Sequence, residues 1–163
     1  MIIFINGSIN SGKSTIAKIL ADRLGKVALV EVDSLRKFID WMSIDKSIPI
    51  NLENAVSVIK NFVKHNIDVV IPYPLSIDNY KNLIKNLKEY KDKIHVFTLS
   101  PKLKVALKNR GPRELSNQEK ERIRHHYDIG IPNPDFGVII DNSNETPEET
   151  TEKILKIIYP HTN

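Results

Sequence analysis

An eight-residue stretch near the amino terminus constrains the fold of this chain more than any other feature. It runs from Gly7 to Ser14 as GSINSGKS and matches GxxxxGK[ST], the pattern of a phosphate-binding loop. The apolar run IIFI at 2–5 predicts a buried parallel strand before it, and apolar side chains at helical spacing over 15–24 predict a helix after it. The alternative, a glycine turn with a chance Lys-Ser pair, requires four fixed positions to match by accident. A strand, a glycine-rich loop and a helix in this order favour an α/β protein that binds a nucleotide phosphate.

Each residue type in the loop has a chemical reason to be there. Gly7 and Gly12 permit backbone angles that turn successive N–H groups inward around a phosphate, and the helix that follows favours an anion at its N-terminus. Lys13 can reach β- and γ-phosphate oxygens, and the Ser14 hydroxyl is placed to bind Mg²⁺. The predicted nucleotide-binding positions are Gly7, Asn10, Ser11, Gly12, Lys13, Ser14 and Thr15, joined by Arg110 further on.

Composition narrows the class of protein. A chain of 163 residues is expected to form a single domain, over 1–163, with a proper core. The net charge of +4 suits an anionic ligand but is too diffuse to indicate nucleic acid, which is not an expected partner. The chain has no cysteine, which excludes disulfides and thiolate chemistry. It shows no secretory leader and no apolar run of membrane-spanning length, so we expect a cytoplasmic protein without membrane contact.

Strand and helix patterns alternate along the chain with short connections, and this order predicts one parallel sheet with helices on both faces. Pro49 is interpreted as a breaker that leaves 43–50 irregular. The predicted strands are 2–5, 27–32, 67–71, 94–99 and 136–140. The predicted helices are 15–24, 34–40, 51–65, 76–90, 101–109, 116–127 and 146–159.

A parallel sheet binds ligands at the carboxyl ends of its strands, so the residues at those ends are the candidate site. Asp33 could accept a proton from a substrate hydroxyl or hold Mg²⁺ through water, or it could cap the helix that begins at Ser34. Arg36 could grip an anionic or polyhydroxyl substrate, or be a surface arginine. Tyr73 could line the acceptor pocket or serve in packing. The segment after Leu99 and the pair Asp141-Asn142 complete the set of strand ends.

Two arginines stand on a short loop of sequence RGPR. Arg110 and Arg113 could swing onto ATP, one stacking on adenine and the other stabilising charge on the transferred phosphoryl group. The alternative is a basic surface turn paired with Glu114 or Glu119. The basic residues over 120–126, including His125 and His126, are interpreted mainly as a solvated helix face.

With these residues in view, the whole chain resembles the small P-loop kinases of the nucleoside monophosphate kinase type. It looks most like the metabolite kinases of that group, namely shikimate kinase, gluconate kinase, adenylyl-sulfate kinase and chloramphenicol phosphotransferase. The resemblance implies a three-layer sandwich, a five-stranded parallel sheet of order 2-3-1-4-5, an ATP and Mg²⁺ cofactor pair and a mobile lid. By this similarity Lys13 and Ser14 bind ATP and metal, Asp33 is the catalytic carboxylate, and Arg110 and Arg113 match lid arginines.

We therefore expect an ATP-dependent kinase that phosphorylates a hydroxyl of a small metabolite. Its acceptor region is expected at about 34–62 and its short lid at about 110–127. The catalytic residues are expected to be Lys13, Asp33, Arg110 and Arg113, the substrate-binding ones Asp33, Arg36 and Tyr73, and the metal ligands Ser14 and Asp33. The alternatives are a nucleotide, nucleoside or polynucleotide kinase, or an ATP-binding regulatory protein without catalysis. The sequence leaves both a monomer and a homodimer open.

Overall fold

The computed structural model describes residues 1–109 and 114–160, and its centre is a parallel sheet of five strands. The spatial order β2-β3-β1-β4-β5 confirms the fold class and the predicted topology. The strands are β1 (Ile2–Gly7), β2 (Val27–Leu29), β3 (Asp68–Pro72), β4 (Ile94–Leu99) and β5 (Val138–Ile140).

Helices connect the strands and cover both faces of the sheet. The α-helices are α1 (Lys13–Leu24), α2 (Val32–Leu35), α3 (Ile44–Lys64), α4 (Ile77–Asn86), α5 (Leu103–Ala106), α6 (Asn117–Asp128) and α7 (Pro147–Ile158). Two 3₁₀ helices, Arg36–Ile39 and Lys88–Lys93, follow α2 and α4. None of the helices in the described ranges is long and apolar enough to cross a bilayer.

The central strand β1 shows how the sequence builds two cores at once. Ile2 and Phe4 point into one layer, where they pack with residues of α3 and α4, and Ile3 and Ile5 point into the other, where they pack with α1 and α7. All four side chains are at most 2% exposed. Successive side chains of a strand face opposite sides, so a continuous apolar run is the signature of a strand covered on both faces.

Helix starts follow the capping residues of the sequence. Ser116 with Glu119, and Thr146 with Glu149, each form a complete capping box in which both side chains bond to backbone N–H groups. The Ser76 hydroxyl accepts from a backbone N–H at the start of α4 in the same way. These three predicted helix starts are confirmed.

Helix α3 is longer than the sequence predicts. The prediction that 43–50 is irregular and that Asn51 is an N-cap is wrong, because the helix begins at Ile44 and contains Pro49 in its interior. Ser47, Asn51 and Ala55 are all buried and lie four residues apart, so the buried stripe of the helix continues through the proline. Burial of this stripe outweighs the hydrogen bond that a proline cannot donate.

Strand β2 is shorter than expected, and this changes the setting of Asp33. The strand ends at Leu29 rather than at residue 32, and the chain turns at once into α2. Glu31 takes the N-cap position of α2, and Asp33 lies in the first turn of that helix. The prediction that Asp33 directly ends the strand is therefore wrong, and so is the alternative that it caps a helix beginning at Ser34.

Two further elements are shorter than predicted. Helix α5 covers four residues of the predicted 101–109, and β5 begins at Val138 instead of residue 136. Before β5, the ring of Phe136 stacks on Tyr80 of α4 with centroids 3.7 Å apart. Gly137 then has a φ of +71°, and a Cβ there would lie 2.6 Å from a carbonyl oxygen of β4. Because of these contacts, the chain joins the sheet two residues later than the sequence predicts.

Candidate active site

The phosphate-binding loop joins the end of β1 to the start of α1, in the middle of the sheet. Its two glycines have φ values of +143° at Gly7 and +99° at Gly12. A Cβ on Gly7 would lie 2.6 Å from both the Leu99 carbonyl oxygen and the Ser11 hydroxyl. The loop therefore needs glycine at position 7 for space as well as for backbone angle.

Lys13 lies at the first position of α1 with its ammonium folded back onto the loop. Its Nζ donates to the Ser8 carbonyl oxygen at 2.7 Å. Burial lowers the pKa of Lys13 from 10.5 to about 8, and the nearby charge of Asp33 opposes that change. A triphosphate that bound in the loop would offer the ammonium better acceptors than one carbonyl oxygen.

Two asparagines brace the loop from outside. Asn10, with a φ of +60°, uses its side-chain amide to donate to the carbonyl oxygens of Ala106 at 2.8 Å and Lys108 at 2.7 Å. Asn142, which follows β5 and is 2% exposed, donates to the Ser11 carbonyl oxygen at 2.9 Å. The strand end at Asp141-Asn142 thus belongs to the site, and Asn142 acts by fixing the loop.

Ser14 and Thr15 are exposed in the first turn of α1, next to Lys13. Within residues 1–109 and 114–160, no cluster of three or more His, Asp or Glu side chains could hold a metal by itself. Mg²⁺ favours a few protein oxygens together with substrate phosphates and water. The Ser14 hydroxyl and the Asp33 carboxylate are oxygen donors of that kind, so the residues fit a magnesium ion brought in with the nucleotide.

Asp33 and Tyr73 lie on neighbouring connections at the carboxyl end of the sheet. Asp33 is exposed, whereas Tyr73 is 7% exposed and belongs to the core beneath. Burial first, and then the charge of Asp33, raise the pKa of Tyr73 to about 12, while Arg122 acts in the opposite direction. Asp33 also raises the pKa of Lys13. Its charge thus acts on both the lysine of the phosphate loop and the tyrosine.

Other polar atoms are buried beside this centre. Arg36 begins the 3₁₀ helix after α2, and within the described chain its Nε is buried without a hydrogen-bond partner. The same holds for Oδ1 of Asn51, a 4%-exposed residue of α3, the helix against which α2 packs. Unsatisfied buried polar atoms are costly, so both are candidates for binding a ligand.

An apolar surface follows Arg36 in the chain. Phe38 is 82% exposed and Trp41 is 78% exposed, whereas most aromatic side chains of a folded domain are largely covered. Both lie within the predicted acceptor region 34–62.

Sequence reasoning missed His126, which it assigned to a solvated helix face. The residue is 8% exposed, and its Nδ1 lies 3.3 Å from the Ser8 hydroxyl. Burial, followed by the charges of Lys13, Arg122 and His125, lowers the pKa of His126 from 6.5 to about 4. The available signal was its spacing of three residues from the buried Ile123 on the same helix. Arg122, although exposed, contributes to the electrostatics of both His126 and Tyr73.

A buried amide joins the surroundings of the loop. Asn6, fully buried one residue before Gly7, donates to the Thr98 hydroxyl at 3.0 Å and to the Ile131 carbonyl oxygen at 3.3 Å. Its own carbonyl oxygen accepts from the Leu75 N–H at 2.7 Å. One side chain therefore connects β1, β4, the segment after β3 and the segment after α6.

Arg110 and Arg113 lie outside the described residues, so their roles stay predictions. The other predicted site residues are distributed over the loop and the adjoining strand ends.

The fold and this loop together define a class: the chain is a P-loop kinase. Solved structures with the same fold include the tunicamycin resistance protein of Deinococcus radiodurans, with a TM-score of 0.71 and 22% identity over 97% of this chain and 95% of that one. The APS kinase of Mycobacterium tuberculosis, in complex with AMPPNP and APS, has a TM-score of 0.71 and 16% identity over 96% of each chain. A gluconokinase of Sinorhizobium meliloti has a TM-score of 0.68 and 15% identity over 99% and 97%.

A sequence relative narrows the class. A protein of Sulfurisphaera tokodaii named "Putative adenylate kinase" is 32% identical over 163 residues, covering 95% of this chain and 81% of its own length. The chain belongs to the family of that relative, within the P-loop small-molecule kinases. No family model matches the chain. The protein is thus a nucleotide-binding phosphotransferase.

Proposed function

We propose that the protein transfers the γ-phosphoryl group of ATP, with Mg²⁺, to a hydroxyl group of a small metabolite. The observation that supports a hydroxyl acceptor is the position of the Asp33 carboxylate, which influences Lys13 on one side and Tyr73 on the other. A carboxylate beside the phosphate loop can orient a hydroxyl and accept its proton as the new O–P bond forms.

Charge stabilisation in this proposal comes from residues of the loop and of the predicted lid. Lys13 leaves the Ser8 carbonyl oxygen and contacts the β- and γ-phosphate oxygens of the nucleotide. Ser14 and Asp33 would hold Mg²⁺, directly or through water, and the ion would supply positive charge against the transferred group when bound. Arg110 and Arg113 are proposed to close over the nucleotide as part of a lid at 110–127, and we place the acceptor against 34–62.

A nucleoside monophosphate is the second candidate acceptor. The 32%-identical relative is named as an adenylate kinase, and such an enzyme phosphorylates a phosphate group. Arg36 also supports a phosphate acceptor, because its buried Nε could donate to an acceptor phosphate as readily as to an acceptor carboxylate.

The deciding experiment is transfer of label from γ-labelled ATP to a panel of acceptors. The panel contains AMP and other nucleoside monophosphates, nucleosides, shikimate, gluconate and related sugar acids, adenylyl sulfate and hydroxylated antibiotics. Lys13→Ala is the control, because a product that persists in this variant does not arise in the phosphate loop. A labelled alcohol ester supports the first proposal, and labelled ADP from AMP supports the second. ATP binding without any labelled product from this panel favours an acceptor outside it or an ATP-binding regulatory protein.

Asp33→Asn tests the role of the carboxylate itself. Removing a general base lowers kcat by about 100-fold or more, whereas nucleotide binding depends mainly on the loop. We expect the variant to lose transfer while its Kd for a non-hydrolysable ATP analogue, measured by calorimetry without Mg²⁺, stays close to that of the parent. Full transfer by Asp33→Asn would remove Asp33 as the base.

A further inference from the structure

Ser8 connects the phosphate loop to two different parts of the molecule. Its carbonyl oxygen accepts the hydrogen bond from the Lys13 ammonium at 2.7 Å. Its hydroxyl lies 3.3 Å from Nδ1 of His126 on α6. Ser8 itself is fully buried, so water does not compete freely for either oxygen. The position of this one residue therefore sets both the site where the ammonium rests and the distance from the loop to α6.

Helix α6 packs on the segment that follows β4. Its buried Ile123 packs with Ala106 and Leu115, and the Tyr127 hydroxyl donates to the Pro101 carbonyl oxygen. The helix starts four residues after the 110–113 segment, in which the sequence places the lid arginines. A displacement of α6 would therefore be transmitted to the loop through His126.

The imidazole makes this contact in its uncharged form. Burial is the main reason that the pKa of His126 is lowered, and the charges of Lys13 on α1 and of Arg122 and His125 on α6 add to that effect. A protonated ring would add another cation beside Lys13. An uncharged ring can hold the Ser8 hydroxyl without competing with Lys13 for an anion.

We propose that His126 is a positioning residue of the phosphate loop, which ties Ser8, and through Ser8 the resting place of Lys13, to helix α6. The proposal uses the nucleotide-binding role of the loop and no property of the acceptor. It can therefore fail or succeed independently of the proposed acceptor class. Two consequences follow from it. Nucleotide affinity depends on the Ser8–His126 contact, and a bound triphosphate favours protonation of the ring by adding negative charge nearby.

The first test is a double-mutant cycle on nucleotide binding. We expect His126→Leu and Ser8→Ala each to raise the Kd for a non-hydrolysable ATP analogue by about fivefold at pH 7.5, which corresponds to the loss of one hydrogen bond. The double variant should bind no more weakly than either single one. His126→Asn keeps a hydrogen-bonding group near the place of Nδ1 and should recover most of the affinity. His125→Asn, an exposed neighbour on the same helix, is the matched control.

The second test separates positioning from mere structural support. Calorimetry at pH 5 in buffers of different ionisation enthalpy gives the protons taken up when the analogue binds. His126→Asn should take up fewer protons than the parent, because its side chain does not titrate, and His65→Asn, a change at an exposed histidine at the end of α3, should match the parent. Thermal unfolding of every variant monitors folding. If His126→Leu does not fold, Ser8→Ala and His126→Asn decide the question. Parent-like affinity in folded His126→Leu or in Ser8→Ala, fully additive losses, or equal proton uptake in His126→Asn would each overturn the proposal.

Discussion

At the scale of single residues, the environment of the loop lysine has the clearest chemical consequence. Burial lowers the pKa of Lys13 to about 8, even though Asp33 lies near enough to oppose the shift. Near physiological pH the ammonium is therefore still charged, but its pKa lies closer to that pH than the pKa of an exposed lysine does. Its hydrogen bond to the Ser8 carbonyl oxygen keeps it within reach of a phosphate.

The lowered pKa of Lys13 predicts how nucleotide affinity depends on pH. Bound phosphates favour the charged ammonium and raise the pKa of Lys13 above its value in the free protein. Affinity is then constant from pH 7 to 8 and weakens as pH rises further, by at most about tenfold per unit for one coupled proton. Calorimetric Kd values for an ATP analogue between pH 7 and 10 check this, with Lys13→Arg as the variant whose affinity should not change over that range. A parent affinity that is flat from pH 7 to 10 contradicts the prediction.

The sequence alone was enough to predict the glycines and the lysine of the loop, because their spacing reflects local backbone geometry. It could not predict the role of His126, because the contact with Ser8 joins residues 118 positions apart. Asp33 is an intermediate case. Its effect on the pKa of Lys13 agrees with the expected position on the loop side of the sheet. The prediction that it ends β2 was wrong, because that strand ends four residues before it.

At the scale of elements, α3 shows that tertiary packing can overrule a local signal. The helix continues through Pro49 because the residues on either side of it share one buried stripe. The sequence pattern predicted only the part of this helix that follows the proline. The starts of α4, α6 and α7 were predictable, in contrast, because capping residues act within a single turn.

Replacing the proline should therefore stabilise the protein. Pro49→Ala restores a backbone donor at the sixth position of α3 and removes the clash of the ring with the preceding turn. We expect a gain of about 1–3 kcal/mol, or roughly 2–10 °C in Tm. Pro147→Ala is the control, because Pro147 occupies the first position of α7, where proline is favourable, and this change should not raise Tm. Thermal unfolding of both variants gives the comparison, and a lower Tm in Pro49→Ala would show that α3 needs the proline.

At the scale of the whole molecule, the site lies at the carboxyl ends of the strands, between the two cores. The fully buried Asn6 holds β1, β4 and the segments after β3 and α6 with three hydrogen bonds. The sheet order could be predicted, through the resemblance that the loop and the element order carry. The contacts of Asn6 could not, since a polar residue inside an apolar strand does not reveal its partners.

One buried and one partly buried histidine make the stability of the whole fold sensitive to acid. Burial holds the pKa of His126 near 4 in the folded protein, against 6.5 when it is unfolded, and it also lowers that of His95. The unfolded chain thus binds more protons than the folded one between these values, so the free energy of unfolding falls as pH drops from about 6.5 to 4. Denaturant unfolding across this range measures the slope, and His126→Asn should reduce it. An unchanged slope in that variant would show that His126 is not the source.

The exposed indole in the proposed acceptor region also gives the protein a useful optical property. Trp41 is the single tryptophan of the chain, and 78% of it is open to solvent. Its emission should therefore be that of a hydrated ring, at long wavelength and readily quenched by iodide. A compound that covers this ring will shift the emission to shorter wavelength and protect it from the quencher, with no dye attached and no catalytic turnover. A screen for acceptors that bind in this region can therefore begin with the fluorescence of Trp41.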